Sequence, residues 1–500
     1  MKNLYQKLLV VSSIAMMQIN YAQKSYLDTS FGVGGIAKTN TFNVTSMGLQ
    51  ADGKILVGGY KVNNSQPDYI ICRFNSNGSI DESFGLGGIV EEVLEGRQEI
   101  TGVAQMPDGN ILTAMYDLKK VTVFTNGSWY PGSVGPIAFM RFKSDGSKDQ
   151  SFGTDGVKKF PFETVLYPNT GNSPNVMKIL PDGRIAVGGD ISSIGPASPI
   201  QGVFTIFTAD VEKDITFHGN GSQALGISSC ASLDALSDGS IVAVADIGTS
   251  TRMRKFTPEG NLDTAFGNAG NVLIQSVKPK NVQVLVNNKI LLSGYRSSTK
   301  TAVLVLFNSD GSLDSSYGNS GILSFSGNST QQEYAIKSVE LVNGKTISGL
   351  QRWNNSYDFG LTATDSNGNE DQTFGNQGQV ITSLAGSQTL VSMIRQPDGK
   401  IILAGYDGNN VVLIRYDISE FLSTTSTTQH GIRLFPNPAK DFITLEGLTT
   451  NASYSIYNIL GQKIDEGIFK NNNYRIDVRN YKDGVYVLST SEGKYKFIKK

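Results

Sequence analysis

Asp81-Glu82-Ser83-Phe84-Gly85 decides how this chain is read, because close copies of it recur along most of the sequence. Six copies hold an Asp, an aromatic three residues later and then a Gly: Asp28/Phe31/Gly32, Asp81/Phe84/Gly85, Asp149/Phe152/Gly153, Asp263/Phe266/Gly267, Asp314/Tyr317/Gly318 and Asp371/Phe374/Gly375. A seventh is degenerate, with Asp214 and Phe217 followed by His218 before Gly219. At 500 residues the chain is too long for one ordinary core, so several domains or a repeat array is expected, and the repeats favour the array.

The stretch from Phe31 to Phe84 shows what one repeat contains. Gly32-Val33-Gly34-Gly35 is a glycine turn leading into Ile36, and Val44 to Gln50 is a partly alternating run that stops at Asp52-Gly53. A second apolar run, Lys54 to Tyr60, follows at once, so Asp52-Gly53 reads as a hairpin, with positive φ expected at both residues of a type I′ turn. A polar loop then leads to a third run, Tyr69 to Asn75. Each repeat therefore supplies four strands. The turn recurs at Asp108-Gly109, Asp182-Gly183, Asp238-Gly239, Asn287-Asn288, Asn343-Gly344 and Asp398-Gly399. Motif aromatics lie about 49 to about 68 residues apart, longer than the ~40–50 of commoner propeller repeats, and variable loops explain the excess.

Seven four-stranded units without helical periodicity predict an all-β fold, a seven-bladed β-propeller, followed by a small C-terminal β-sandwich. The last repeat run, Val411 to Tyr416, has no motif Asp after it, whereas Leu27-Asp28 begins the array; pairing the two ends would close the ring. Asp-x-Ser-Phe-Gly followed by Pro-Asp-Gly-Lys-Ile resembles the delta-60 repeat, a bacterial propeller family of undefined molecular function. The resemblance covers roughly residues 26 to 418 and implies a fold without an activity.

The two ends of the chain speak of address. Lys2 and Lys7, an apolar run from Leu8 to Met17 and a polar stretch to Ala22 read as a signal peptide over residues 1–22, the run being too short to span a bilayer. The propeller is placed at 24–418 and a Ser/Thr-rich linker at 419–431. Residues 432–500 hold several short strand-like runs, and they resemble the type A sorting domain of the type IX secretion system of Bacteroidetes. The resemblance rests on Phe435-Pro436-Asn437-Pro438, a block containing Gly461, Asp483-Gly484 with Tyr486, and Lys496 in the terminal strand. It implies handling by the type IX machinery, delivery to the outer cell surface or the medium, and removal of the sorting domain. No second apolar stretch approaches the length of a transmembrane helix.

Composition narrows the chemistry. Net charge is −1 and charged residues make up 17%, which leaves no basic footprint for nucleic acid or an anionic membrane. Two histidines, His218 and His430, do not assemble a metal cluster or a Ser-His-Asp triad. No catalytic residue, metal site or cofactor is assigned. Calcium on the motif Asp residues is the competing reading to an Asx-turn, and the turn is preferred because equivalent carboxylates of a ring lie far apart. Arg73, Arg141 and Arg415, each before an aromatic at one strand position, read as exposed strand residues stacking on neighbours, in preference to an anion site. Cys72 and Cys230 lie in different repeats and read as buried thiols. Candidate ligand-binding residues are Trp129 and Tyr130 in the insertion 117–136 and Trp353 in the sixth unit, all expected in loops of one propeller face, where aromatics can stack on sugars. The sequence thus predicts a secreted binding or adhesion module for an extracellular glycan or surface protein. The rival readings are a propeller hydrolase or lyase acting on polysaccharide, with Asp, Glu, Tyr or Arg converging on the channel mouth, and a structural surface component.

Overall fold

Each repeat folds as one antiparallel sheet whose strands run outward from a central channel. The computed structural model describes residues 26–422 and 433–500 apart from 40–41, 64–65, 93–96, 126–127, 161–169, 194–199, 326–331, 342–343, 354, 409, 447–452, 459–462, 470–474 and 491–492. The signal-peptide segment, residue 461 and most of the expected linker lie outside the described residues. The chain divides after Leu422 into two units. Within the first, the described residues form seven sheets of the same order. Blade 1, for example, runs Asn43–Leu49, Ile55–Asn63, Gln66–Phe74 and Ile89–Glu91. The innermost strands neighbour one another from blade 1 round to blade 7, and blade 7 returns to blade 1.

Blade 7 is closed by the other end of the chain. Ile36–Thr39 pairs with Asn410–Tyr416, Ile36 facing Ile414 and Thr39 facing Val411. The Asp28 amide donates to the Arg415 carbonyl at 2.9 Å, and the Arg415 amide donates to Gly35 at 3.0 Å. Tyr26 stacks on Phe374 with ring centroids 4.8 Å apart. The expected linker starts too early: Ser419–Leu422 is a helical turn whose Phe421 packs on Phe374 at 4.8 Å, so the propeller core extends past Ile418.

The recurrent motif is a latch between blades. In Asp81, Oδ1 accepts the Ser83 amide at 3.2 Å and its hydroxyl at 2.6 Å, the expected Asx-turn. Oδ2 takes the Arg73 guanidinium at 2.7 Å and Lys54 at 3.2 Å. Arg73 also stacks over Phe84 at 4.4 Å and donates to the Ser144 carbonyl of the next blade. The Gly85 amide donates to the Asp145 carbonyl of that blade at 2.8 Å. Phe84 lies under Gly146, where a Cβ would come within 2.9 Å of the ring. At the closure Arg415 binds Asp28, stacks on Phe31 at 4.6 Å and reaches the Ser76 carbonyl at 2.5 Å. The expectation that these arginines are exposed is therefore wrong for Arg73 and Arg415, which are 4% and 6% exposed. A guanidinium can be buried there because a carboxylate, a carbonyl and an aromatic face together replace its water.

The hairpin turns also differ from expectation. Only the second residue takes positive φ, 84° at Gly53, 85° at Gly109 and 60° at Asn288, while Asp52, Asp108 and Asn287 do not. The Gly53 amide donates to the Gln50 carbonyl at 2.9 Å, and Asp52 Oδ1 accepts the Lys54 amide at 3.1 Å. The loop is one residue longer than a type I′ turn and ends in a left-handed glycine, which satisfies the strand twist equally well. Cys72 and Cys230 are free and buried, and burial pushes the Cys72 thiol up to about 12.

In the second unit a three-stranded sheet (Arg433–Phe435, Phe442–Glu446, Arg475–Asp477) and a four-stranded sheet (Lys463–Ile468, Ser453–Asn458, Gly484–Thr490, Gly493–Lys499) share one core. Ile443, Leu445 and Ile476 of the first meet Ile456, Leu488 and Phe497 of the second.

Candidate functional site

Every innermost strand carries a β-bulge at the same level. Register shifts fall between Val44 and Ser46, Ile100 and Gly102, Pro174 and Val176, Cys230 and Ser232, Pro279 and Asn281, Ala335 and Lys337, and Leu390 and Ser392. The extra residue in each strand is re-aimed, as bulges do, and all of them line one central cavity of about 410 Å³. In three blades it is a small polar residue that bonds nearby carbonyls: Thr45 and Thr101 through hydroxyls, Asn175 through its amide to Cys230 at 3.2 Å. In three others it is Ala231, Ile336 or Val391. Only blade 5 places a charge there, Lys280. Lys337 of blade 6 stands one residue past its bulge and also lines the cavity.

Beside Lys280, on the face opposite the Asp-Gly turns, lies an arc of aromatic rings. Tyr295 ends the second strand of blade 5 (Ile290–Arg296), and Tyr334 sits near the start of the first strand of blade 6 (Gln332–Glu340). Trp353 and Tyr357 face each other across the hairpin between Thr346–Trp353 and Tyr357–Thr364. Ring centroids are 4.7 Å apart for Tyr295 and Tyr334, 6.3 Å for Tyr334 and Tyr357 and 4.7 Å for Trp353 and Tyr357. The contacts are edge-on or tilted, the arrangement the ring quadrupoles favour. All four are half-buried. Lys300 and Lys280 lie 5.3 and 5.8 Å from the Tyr295 centroid. Burial holds the Tyr295 hydroxyl above its ordinary range, with Lys278 opposing, and burial with Tyr357 does so for Tyr334, whose hydroxyl donates to Gln332 Oε1 at 2.7 Å.

The structure treats the three predicted aromatics unequally. Trp353 is no loop residue; it ends a strand, paired with Gln332 on one side and Tyr357 on the other. Trp129 and Tyr130 also lie on a strand, Ser128–Val134, which pairs with the long Ile111–Thr125 of blade 2; their side chains lie outside the described residues. Blades 2 and 6 are not ring neighbours, so the three do not form one site. Tyr357, which does touch Trp353, and Tyr334 and Tyr295, which continue the row, were missed because each lies near a strand end with nothing local to mark it. The bulges left a trace: buried residues recur at a spacing of three inside the inner strands, as in Val44/Met47, Ile100/Val103 and Leu390/Met393, where a regular strand would give two.

A larger hollow, about 730 Å³, lies on blade 2 and is lined by Glu92, Asp117, Lys148 and Lys159 among others. These four charges bind each other, Lys159 to Asp117 at 2.6 Å and Lys148 to Glu92 at 2.5 Å, which leaves them committed. Each motif Asp is likewise occupied, by the residue two positions on and by a nearby Lys or Arg, as in Asp314 with Ser316 and Lys289.

In the second unit the predicted motif residues divide into builders and exposed groups. Asn437 donates to the Lys496 carbonyl at 3.1 Å and accepts the Ile498 amide at 2.9 Å, pinning the Pro436-Asn437-Pro438 segment to the last strand. Both X-Pro bonds there are cis. Tyr486 stacks on Phe497 and donates to the Lys482 carbonyl at 2.8 Å. Phe435, Asp483 and Lys496 are exposed. Residues 433–500 match the family described as the secretion system C-terminal sorting domain. Segments 50–84, 236–266, 287–317 and 396–417 match the domain of unknown function (DUF5122) beta-propeller.

The chain joins a DUF5122 beta-propeller to a secretion-system sorting domain. No curated protein matches it. Among solved structures, a protein of unknown function from Dyadobacter fermentans is 13% identical over 69% of this chain and 98% of its own, with a TM-score of 0.37. The PL25 polysaccharide lyase described as an ulvan lyase is 9% identical over 79% and 96%, with a TM-score of 0.42. PorZ, a surface component of the type-IX secretion system of Porphyromonas gingivalis, is 11% identical over 97% and 88%, with a TM-score of 0.23. Likenesses at this level say nothing of ligand or activity. The sorting domain marks the DUF5122 propeller for export by its secretion system, and among the described residues no helix is long and apolar enough to cross a membrane.

Proposed function

We propose that the propeller is a binding module displayed on or released from the cell surface, and that it takes an extracellular saccharide on the arc Tyr295, Tyr334, Trp353 and Tyr357. The observation that carries this reading is the arc itself. Four half-buried aromatic rings, each touching the next in a row and drawn from two blades, offer rigid apolar faces edged by hydroxyls beside a cavity. That is the make-up of a site for flat, hydroxyl-rich ligands. A binder is favoured over a hydrolase, which needs a pair of carboxylates, by the charges facing the cavity: among the described residues they are lysines, and Asp234 beside it is bound to Lys178.

The test is a glycan array with the full mature chain, followed by calorimetry on whatever binds. Trp353→Ala and Tyr334→Ala are expected to weaken binding at least tenfold with little change in melting temperature. Undiminished binding by both variants would overturn the assignment of the arc. Export is tested separately: deletion of 433–500 should leave the protein inside the cell, and surface delivery without that segment would remove the sorting reading.

A further inference from the structure

We propose that the central channel is an anion site, in which Lys337 and Lys280 receive the carboxylate or sulfate group of an acidic saccharide whose ring lies on the aromatic arc. The saccharide rests on the preceding reading; the anion site stands on the channel alone.

The channel is walled by all seven inner strands, and its volume of about 410 Å³ suits one small ligand group with water. Charges beside it are paired where a pair is available: Lys178 binds Asp234, and Lys278 binds Asp246 at 3.1 Å. Lys337 and Lys280 have no hydrogen-bond or ion-pair partner among the described residues. Lys280 is exposed and Lys337 half-buried, and neither Nζ is sealed from water; two unpaired ammonium groups lining one channel give it a positive potential that favours an anion. Each is placed by the bulge that re-aims its strand, Lys280 as the extra residue and Lys337 as the next one. The lining also supplies neutral donors. Ser232 Oγ accepts the Val282 amide at 3.2 Å and the Asn281 side chain at 3.3 Å, which leaves its own proton to donate. Ser46 Oγ likewise accepts the Val103 amide at 3.2 Å.

The groups facing Lys337 across the channel are Lys178 and Asp234. Burial first, then Lys178, lowers the Lys337 ammonium to about 8, with Asp234 opposing. Burial and Lys278 lower Lys280, with Asp246 opposing. A bound anion favours the charged form, so binding takes up a proton near and above pH 8, and affinity should be flat below about pH 7 and fall by up to tenfold per unit above about 8.

The experiment is calorimetry on the full mature chain with sodium sulfate, phosphate, glucuronate and glucose, and with acidic and neutral members of any oligosaccharide pair that binds. The expected result is at least a tenfold preference for the acidic member, competition by sulfate or phosphate, and loss of the preference in Lys337→Met and Lys280→Met with neutral binding unchanged. Lys337→Gln is the second variant should Lys337→Met not fold. Sulfate or glucuronate binding by the unaltered chain, with no oligosaccharide bound, would sink the arc and keep the anion site, and Trp353→Ala should leave that anion binding unchanged. Equal binding of acidic and neutral members, the preference persisting without Lys337 and Lys280, or no binding of any anion would overturn the anion site whatever becomes of the arc.

Discussion

The motif latch and the channel wall are both repeated around the ring, but they are repeated in different ways. The latch repeats its side chains: a carboxylate, a hydroxyl or amide two positions on, a cation and an aromatic ring recur from blade to blade. The channel wall repeats only its backbone, since all seven inner strands bulge at one level while the extra residue is Thr, Asn, Ala, Lys, Ile or Val. Assembly needs the same contact at each interface, so its chemistry is uniform. Recognition of a ligand without sevenfold symmetry needs one sector to differ, and blades 5 and 6 differ.

Breaking the latch should therefore damage the fold, and changing the channel or the arc should spare it. The largest effect is expected at the closure. Removing residues 26–39 takes away the outer strand of blade 7 together with Asp28 and Phe31, and should lower stability by more than about 5 kcal/mol, seen as a melting temperature lower by on the order of 10 °C or more. A melt unchanged within a few degrees would show that the ring does not depend on its strap. Next comes Phe84→Ala, which empties the space under Gly146 and removes the stacking face of Arg73. It should cost about 3–5 kcal/mol in urea unfolding, whereas Trp353→Ala on the arc should cost about 1 kcal/mol. Equal losses for the two would erase the distinction between frame and site.

Acid should act on the latch as well. Burial raises the Asp81 carboxyl, but the Ser83 hydroxyl, Lys54, Arg73 and the Ser83 amide together outweigh it and hold the group at about 2. Asp214 and Asp371 are lowered likewise, against their burial, and Asp149 and Asp314 mainly by partner hydrogen bonds. Because the folded values lie below the unfolded ones, the stability they contribute is fully present above about pH 4 and is lost as pH falls toward about 2. Melting temperatures recorded from pH 7 to pH 2 should hold level and then drop below pH 4, and Asp81→Asn should flatten that drop. A profile that declines evenly across the range would argue against the latch carboxylates.

What was legible in the sequence follows the same division. Asp81, Phe84 and Gly85 sit within a few residues of one another, so the latch showed itself as a string, and the type of fold came with it. The buried state of Arg73 did not, because its carbonyl partner at Ser144 belongs to another blade. Trp353 stands out as a rare residue and Tyr357 is its hairpin partner, yet the row continues through Tyr334 to Tyr295 of another blade, which only the ring brings alongside. Nothing in the sequence marks Lys280 and Lys337, since a bulge changes where a side chain points without changing its letter.

The smallest effect, and the one that asks how uniform the latch must be, lies at His218. It stands where the other copies have glycine, and its φ of 51° matches the 54° of Gly32 and 55° of Gly85. Its amide still donates to the next blade, to Glu259 at 2.7 Å, so the inter-blade bond survives the change of residue. The short bridge that closes the following turn elsewhere, as between Leu86 and Ile89, is not formed by the corresponding Gly219 and Ser222. At Gly85 a Cβ would lie 2.2 Å from the Ile89 carbonyl oxygen; opening the turn is how blade 3 makes room for a side chain. A left-handed non-glycine residue carries about 1–2 kcal/mol of strain, partly offset by the extra freedom glycine regains on unfolding. His218→Gly should accordingly stabilise the propeller by about 0.5–1 kcal/mol, a rise of a few degrees at most in the melting temperature. Gly85→Ala should do the opposite and do more, because blade 1 keeps its turn closed. If the two changes shift stability by the same amount in the same direction, the φ requirement at this position is not what the latch glycine is for.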